Sequence, residues 1–314
     1  MPVYPTEIAR ASCSLPGCLC RNRVARYPSD LTDAQWQVLR PEAEQVMAEL
    51  RRATGRPMVH ELRAMLDAVF YLVRNGIEWR ALPVDFPPWD AVYAFYQRWS
   101  QRGLPHQLVD RLRSRLRVRV GRDAQPSAAI VDSQSVKAAE TVGAGSRGFD
   151  NGKKINGRKR HIAVDVEGFL LAVVVTAANI GDRMGAKLLV IALLNTCTRL
   201  RLIWADAGYD GNPLATWIRA VAGITLEIIK RTELHVFKIV PRRWVVERSF
   251  GWLLRHRRLV RDYERRPDHH EAMVYWATVM IMTRRLARRA TDPPAKQRWG
   301  QPRSAQPQPN PAPT

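Results

Sequence analysis

Two stretches decide how this chain reads: Ala128-Ala129-Ile130-Val131-Asp132-Ser133-Gln134-Ser135-Val136 and Leu202-Ile203-Trp204-Ala205-Asp206. Each is an apolar run of strand length that delivers an aspartate toward its carboxyl end. A carboxylate on an element that otherwise wants burial is costly unless it is paired or bound to a metal. In open α/β sheets, ligands sit beyond the carboxyl ends of the strands. Asp132 and Asp206 are therefore candidate site residues, although isolated strand-end aspartates also serve as turn and capping acids.

A third acid lies in a helical pattern. Glu247 shares its helix face with Arg243, Trp244, Phe250, Gly251 and Leu254, a partly apolar stripe. An ordinary i, i+4 pair with Arg243 is the plainer reading of Glu247 taken alone. Taken together, three acids on core elements suit a hard divalent cation, Mg²⁺ with Mn²⁺ as substitute. Two such ions ~3.5–4 Å apart activate a nucleophile and stabilise the leaving oxygen of a phosphodiester.

Around these stretches the texture is that of an α/β layer fold. Strands are expected at 128–136, 161–166 and 169–176, the last two joined by a turn at Glu167-Gly168. A helix over 183–198, a strand at 200–205, a helix over 213–222, a strand at 224–229 and helices at 241–258 and 269–290 follow. Upstream, 30–121 reads as helical. Asp30 or Thr32 supplies a cap, Gly55-Arg56-Pro57 a break, and Asn75-Gly76 a stop after the apolar face of Leu62, Met65, Leu66, Val69, Phe70 and Val73. Arg111, Arg113, Arg115, Arg117 and Arg119 alternate as on a strand, but Leu108, Leu112 and Leu116 recur every four residues; burial sets the fold, so this is a helix.

The expected organisation is a loose leader (1–26), a helical segment (27–122), an α/β segment (127–290) and a disordered proline-rich tail (291–314). The length of 314 residues agrees with two domains at ~100–200 residues each. The longest apolar stretches, Phe169–Ala178, Leu188–Leu194 and Met273–Met282, fall short of the ~20 residues of a membrane span. The first residues lack a secretory apolar core, so a cytoplasmic protein is expected. Cys13, Cys18 and Cys20 have no nearby second Cys pair or His and read as free thiols; Cys197 reads as a small core residue.

Fifty Lys+Arg against 29 Asp+Glu give a formal charge of +21. So large an excess fits a polyanionic partner, nucleic acid above all. A basic protein around an acidic metal site has the layout of a nuclease or polynucleotidyl transferase.

In order and spacing, the motifs resemble the DDE transposases of small bacterial insertion sequences, most closely the insertion-sequence-five family. They are Asp85-Phe86-Pro87-Pro88-Trp89, Val131-Asp132-Ser133-Gln134-Ser135-Val136-Lys137, Gly157-Arg158-Lys159-Arg160-His161, Ala205-Asp206-Ala207-Gly208-Tyr209 and Arg242-Arg243-Trp244-Val245-Val246-Glu247-Arg248. The resemblance runs from Tyr27 to about Arg289. It implies an RNase H-like (retroviral integrase-like) catalytic core with Asp132, Asp206 and Glu247 as metal-binding triad, and an N-terminal all-helical domain that binds DNA. It also implies a homodimer bridging two transposon ends. The family signature around the Glu has Tyr where Val240 stands and Lys where Leu254 stands, with Arg255 following directly.

The Gly-rich stretch from Arg147 to Arg160 reads as a loop gripping phosphates through Lys153, Lys154, Arg158, Lys159 and Arg160, with His161 beside it. Arg243, Arg255, Arg257 and Arg258 are candidate contacts along the Glu247 helix. Helices 59–74 and 88–101 form a candidate helix-turn-helix with Arg63 and Arg98 facing DNA; Trp79, Trp89 and Trp99 read as core. The function expected is cut-and-paste transposition: cleavage at inverted-repeat ends, then transfer of the 3′-hydroxyl to target DNA. The alternatives are a related endonuclease without strand transfer and a non-catalytic DNA-binding regulator.

Overall fold

The computed structural model describes residues 23–51, 58–229 and 241–288. The break expected at Gly55-Arg56-Pro57, the three N-terminal cysteines and the proline-rich tail lie outside the described residues. Four helices come first: α1 (Asp33–Glu49), α2 (Leu62–Asn75), α3 (Trp89–Gln101) and α4 (Leu104–Arg119). Thr32 caps α1, with Gln35 completing a reciprocal capping box. Gly76 ends α2 at φ +71, a left-handed conformation that glycine adopts without steric cost.

The leucine pattern of α4 is the one that sets its face: Leu104, Leu108, Leu112 and Leu116 are all buried. Its arginines each have a specific partner, whether buried (Arg113, Arg117) or exposed (Arg115, Arg119). Arg111 reaches Glu49 (2.7 Å), Arg113 Asp110 (2.6 Å) and Arg115 Glu42 (3.0 Å), while Arg117 pairs with the fully buried Asp165. Arg119 donates to the carbonyls of Leu286 and Arg288, at the C-terminal end of the last helix.

The α/β segment follows as β1 (Ala128–Lys137), β2 (Gly148–Asp150), β3 (Ile155–Val164), β4 (Leu170–Ala177), α5 (Asp182–Leu194), β5 (Leu202–Ala205), α6 (Asn212–Ala222), β6 (Thr225–Ile228), α7 (Pro241–Leu253) and α8 (Pro267–Ala287). β1 lies between antiparallel β3 and parallel β5. β6 extends the parallel side, and β4 and the short β2 pair with β3. The hairpin between β3 and β4 turns at Gly168 (φ +82), as the Glu167-Gly168 pair predicts.

Residue alternation along the strands builds two cores. Val131, Ala163, Ile203 and Ala205 pack under α5 and α6, together with Cys197. Ile130, Ile162, Val164 and Trp204 face the other way, toward Val246, Phe250 and Leu253 of α7 and the buried face of α8. This second core does not stop at the sheet. It continues through α8 into α1, α2 and α4, where Trp276 packs edge-on to Phe70 with centroids 6.2 Å apart. The helical and α/β segments thus share one interior, with the chain passing from one to the other between Arg119 and Ala128.

Three expectations need correction. The leader is not loose to residue 26: Arg23 is buried between Asp30 (2.5 Å) and Asp67 (3.2 Å), its guanidinium 4.0 Å from the centroid of Phe86. The α2–α3 pair is not a helix-turn-helix. Such a motif uses a turn of ~3–4 residues, whereas residues 76–88 separate these helices, and most of α2 is buried inside the bundle. The basic stretch before His161 is not a loop at its end, because β3 begins at Ile155 and carries Arg158 and Arg160 into the interior.

Arg158 is held there by a carboxylate and carbonyls, whereas Arg160 has only an amide oxygen and keeps one buried nitrogen, Nη1, without a partner among the described residues. Arg158 pairs with Asp262 (3.0 Å) and donates to the carbonyls of Ser146, Glu264 and Arg265. Arg160 donates twice to the Gln134 amide oxygen across the β1–β3 ladder. His161, fully buried, meets Thr176 Oγ1 at 3.0 Å and lies under Gly185, where an added Cβ would come within 2.1 Å of the ring.

Burial holds the His161 imidazole down to about 4, against the charge of Asp182. Between about pH 4 and 6.5 the unfolded chain therefore binds a proton at this position that the folded chain refuses, so His161 destabilises the fold as pH falls through that window. Relative to His161→Gln, the wild type should lose roughly 2 kcal/mol of stability at pH 5 that it retains at pH 7.5. Paired denaturant titrations of the two proteins read this difference. They also cancel the opposite contributions of Asp67 and Glu271, both pushed up to about 7 by burial. A difference independent of pH would show that the ring charges freely.

Candidate active site

The parallel register places Ile130 opposite Trp204. Two residues further along the chain from each come Asp132, on β1, and Asp206, just past the end of β5. Both carboxylates are half-buried, and they line one cavity with Ile130, Val131, Ala205, Ile229 and Val246. Main-chain amides anchor one oxygen of each: Ser133 N donates to Asp132 Oδ1 (2.7 Å) and Gly208 N to Asp206 Oδ1 (2.9 Å). The anchoring fixes where each carboxylate points before any ligand arrives.

Glu247 stands differently. Its neighbour Val246 is buried in the cavity wall, but Glu247 itself is exposed on α7. Among the described residues, no three His, Cys, Asp or Glu side chains are assembled as a metal site. The hard-oxygen chemistry of Asp132 and Asp206 fits a divalent cation; the structure brings these two together and leaves Glu247 at the margin.

Sequence reasoning overlooked the back of β1. Ser133 points away from Asp132 and donates to Asp182 Oδ1 (2.8 Å), in the first turn of α5. Lys159 Nζ lies 3.1 Å from Asp182 and 3.5 Å from Asp150, and Ser135 donates to Asp150 at 2.5 Å. Burial opposes ionisation of Asp150. Hydrogen bonds from Ser135 and the Lys153 amide, with the charges of Lys159 and Lys153, nevertheless hold it down to about 2. Burial, then the charge of Asp132 and Asp182, keeps the Tyr209 phenol protonated well above its ordinary range, with Ser133 as its hydrogen-bond partner. Alternate residues of β1 thus present Asp132 to the cavity and fasten the strand from behind. Asp182 opens α5 directly after Gly181, and no local pattern in the sequence distinguishes it from an ordinary first-turn acid.

The candidate DNA contacts divide by burial. Lys153, Lys154, Arg98, Arg255 and Arg257 are exposed. Arg158, Arg160 and His161 are interior, as described, and Lys159 is buried in its carboxylate pairings. Arg258 is also buried: it binds Glu264 (2.7 Å) and the Ile77 carbonyl because α7 ends at Leu253 and a separate short turn carries 257–259 inward. Arg63 is half-buried and tied to Asp33 and the Leu31 carbonyl. The Arg243 side chain lies outside the described residues. Of the tryptophans, Trp99 is buried and Trp79 packs on Tyr93 and Tyr96, whereas Trp89 is partly exposed with Arg80 over its ring.

Comparison with known proteins identifies the class. The family described as the transposase DDE domain matches residues 123–283, over half of the chain, and the chain belongs to that family. Its fold is RNase H-like, in agreement with the mixed sheet and its flanking helices. A second family, described as transposases of the IS4/5 family, matches residues 31–109. A protein named as a transposase for insertion sequence element IS402, from Burkholderia cepacia, is 34% identical over 139 residues, 42% of this chain and 65% of that protein. The match thus spans a little under two thirds of the relative's length. Among the described residues no helix is long and apolar enough to cross a membrane.

Proposed function

We propose that the protein is a metal-dependent DNA transposase that cuts at the inverted-repeat ends of an insertion element and joins the freed 3′-hydroxyl to target DNA. The observation that carries this reading is the register-matched pair Asp132 and Asp206, side by side in one cavity of a +21 chain. A buried or half-buried acidic pair inside a strongly basic protein suits a cation-assisted reaction on a polyanion. Glu247 is the proposed third donor, reached from the adjoining wall of the cavity. Mg²⁺ is the proposed ion, with Mn²⁺ as substitute, because every donor is a carboxylate oxygen. When bound, such ions supply activation of the attacking water or hydroxyl and charge stabilisation at the leaving oxygen.

The chain's own residues orient and hold. The Ser133 and Gly208 amides set the two carboxylates, and the Ser133–Asp182–Lys159 network keeps β1 fixed beneath them. Neither cleavage nor joining needs a protein nucleophile, since both are displacements at phosphorus by an oxygen from water or DNA. A homodimer acting on two ends, at DNA in the cytoplasm, completes the proposal. The IS402 protein, by its name, serves the same kind of element.

Two measurements test it. Pre-cleaved ends incubated with plasmid should be joined to it; cutting without joining would indicate an endonuclease instead. Calorimetric titration with Mn²⁺ should show binding at least ~10-fold weaker in Glu247→Gln, the scale on which perturbing a metal's ligand sphere acts. An unchanged isotherm removes Glu247 from the ligand set, and a wild type that binds no divalent ion removes the mechanism.

A further inference from the structure

The arginines of α4 each meet a carboxylate or a main-chain carbonyl, but another group makes no ion pair among the described residues. On α7, Arg248 is sandwiched between Trp244 and Trp252, its guanidinium 4.7 Å and 4.8 Å from their centroids. On α8, Arg285 covers the same Trp252 at 3.9 Å and Phe169 at 5.3 Å. Next to this stack, Arg74 from the end of α2 donates to the Arg255 carbonyl (2.5 Å), and Arg284 donates to the Pro28 carbonyl (3.0 Å). Arg288 follows at the exposed end of α8. The acids beside the stack are already engaged, Asp165 with Arg117 and Glu167 with Arg122.

Like charges gathered in this way repel. The cost is visible in Arg284, whose pKa is lowered by burial and then by Arg74 and Arg288, and in Arg285, brought down to about 10 by burial and then by Arg248, Arg288 and Arg255. Part of the clustering answers the negative end of the α8 dipole. That accounts for Arg284, Arg285 and Arg288, but not for Arg74, Arg248 or Arg255, which come from other elements. Stacking on indole rings holds guanidiniums in place without neutralising them. Such an array is preorganised for an extended polyanion.

We infer that Arg255, Arg284 and Arg288, with Arg74 and the Trp244–Arg248–Trp252–Arg285 stack behind them, form a sequence-independent seat for the phosphate backbone of duplex DNA. It spans the helical and α/β segments and starts one residue from Glu247. The donors are charged guanidiniums, which suit phosphate oxygens; phosphate contacts position a protein on DNA without reading its sequence. This inference rests on the DNA-handling function proposed above.

Fluorescence anisotropy with a random-sequence duplex, repeated across salt concentrations, tests it. Each phosphate contact contributes ~0.9 to the slope of log K against log salt. The triple variant Arg255→Gln/Arg284→Gln/Arg288→Gln should lower that slope by about 2 to 3 and weaken binding at least ~10-fold at low salt. The matching Arg→Lys triple should keep the slope, which separates lost charge from misfolding, and Arg40→Gln, a surface control paired with Glu44, should leave both unchanged. An unchanged slope in the Gln triple, with the wild type binding duplex normally, overturns the seat and leaves the function standing. A loss restricted to one DNA sequence overturns its sequence independence, and a wild type that binds no duplex overturns seat and function together.

Discussion

Asp206→Asn should abolish cleavage of transposon-end DNA while leaving its binding intact. The amide keeps an oxygen to accept the Gly208 N–H, so the turn after β5 survives. What disappears is one anionic donor to the proposed divalent ion. Loss of several kcal/mol of transition-state charge stabilisation, at tenfold for each ~1.4 kcal/mol, predicts a fall in cleavage rate on the order of 10³ or more. Duplex affinity by anisotropy should stay within about twofold, since the arginines proposed to bind phosphate lie elsewhere. Cleavage at the wild-type rate would show that Asp206 is a capping acid and nothing more.

The second large effect is on stability. Asp262 is fully buried and holds Arg158 at 3.0 Å, His270 at 2.9 Å and the Glu264 amide at 2.8 Å. Its own backbone is bridged to Ala138, past the end of β1. Asp262→Ala strands a buried guanidinium, and breaking one side of a buried ion pair costs about 3–5 kcal/mol. A protein of this size should lose on the order of 10 °C in Tm. Asp262→Asn, which retains an acceptor, should lose less. Thermal unfolding of the pair followed by circular dichroism reads the difference; equal melting to the wild type would mean that Arg158 finds another acceptor.

That ion pair also shows where the sequence stops being legible. Asp132 and Asp206 are readable because each ends a local apolar run, and the pairing of those runs follows from α/β layering. The start of β3 is hidden because Arg158 and Arg160 occupy inward positions where a strand pattern calls for apolar residues. What licenses them there is Asp262, far along the chain, and Gln134 on the neighbouring strand. The α2–α3 connection fails as a helix-turn-helix for a similar reason. The helices are individually evident, but the burial of α2 on all sides depends on α8. Glu247 is readable as a helix residue of mixed environment, yet whether its carboxylate joins the other two depends on the placement of α7, which no local pattern encodes. The stop of α7 at Leu253 was likewise unmarked: neither Gly nor Pro follows, and the inward pull on His256 and Leu259 breaks the helix.

The passage of α8 through the amino-terminal helices has a consequence for biosynthesis. Trp276, Phe70 and Ser100 meet at the centre of that bundle. A nascent chain that has left the ribosome only as far as α7 exposes the cleft into which Trp276 fits. The helices α1, α2 and α4 therefore wait, unsealed, for α8. Closure over such sequence separations is slow, so α8 must be in hand before the core it shares with α1, α2 and α4 can close. Truncation anywhere within 267–287 should produce aggregates in place of a smaller working protein.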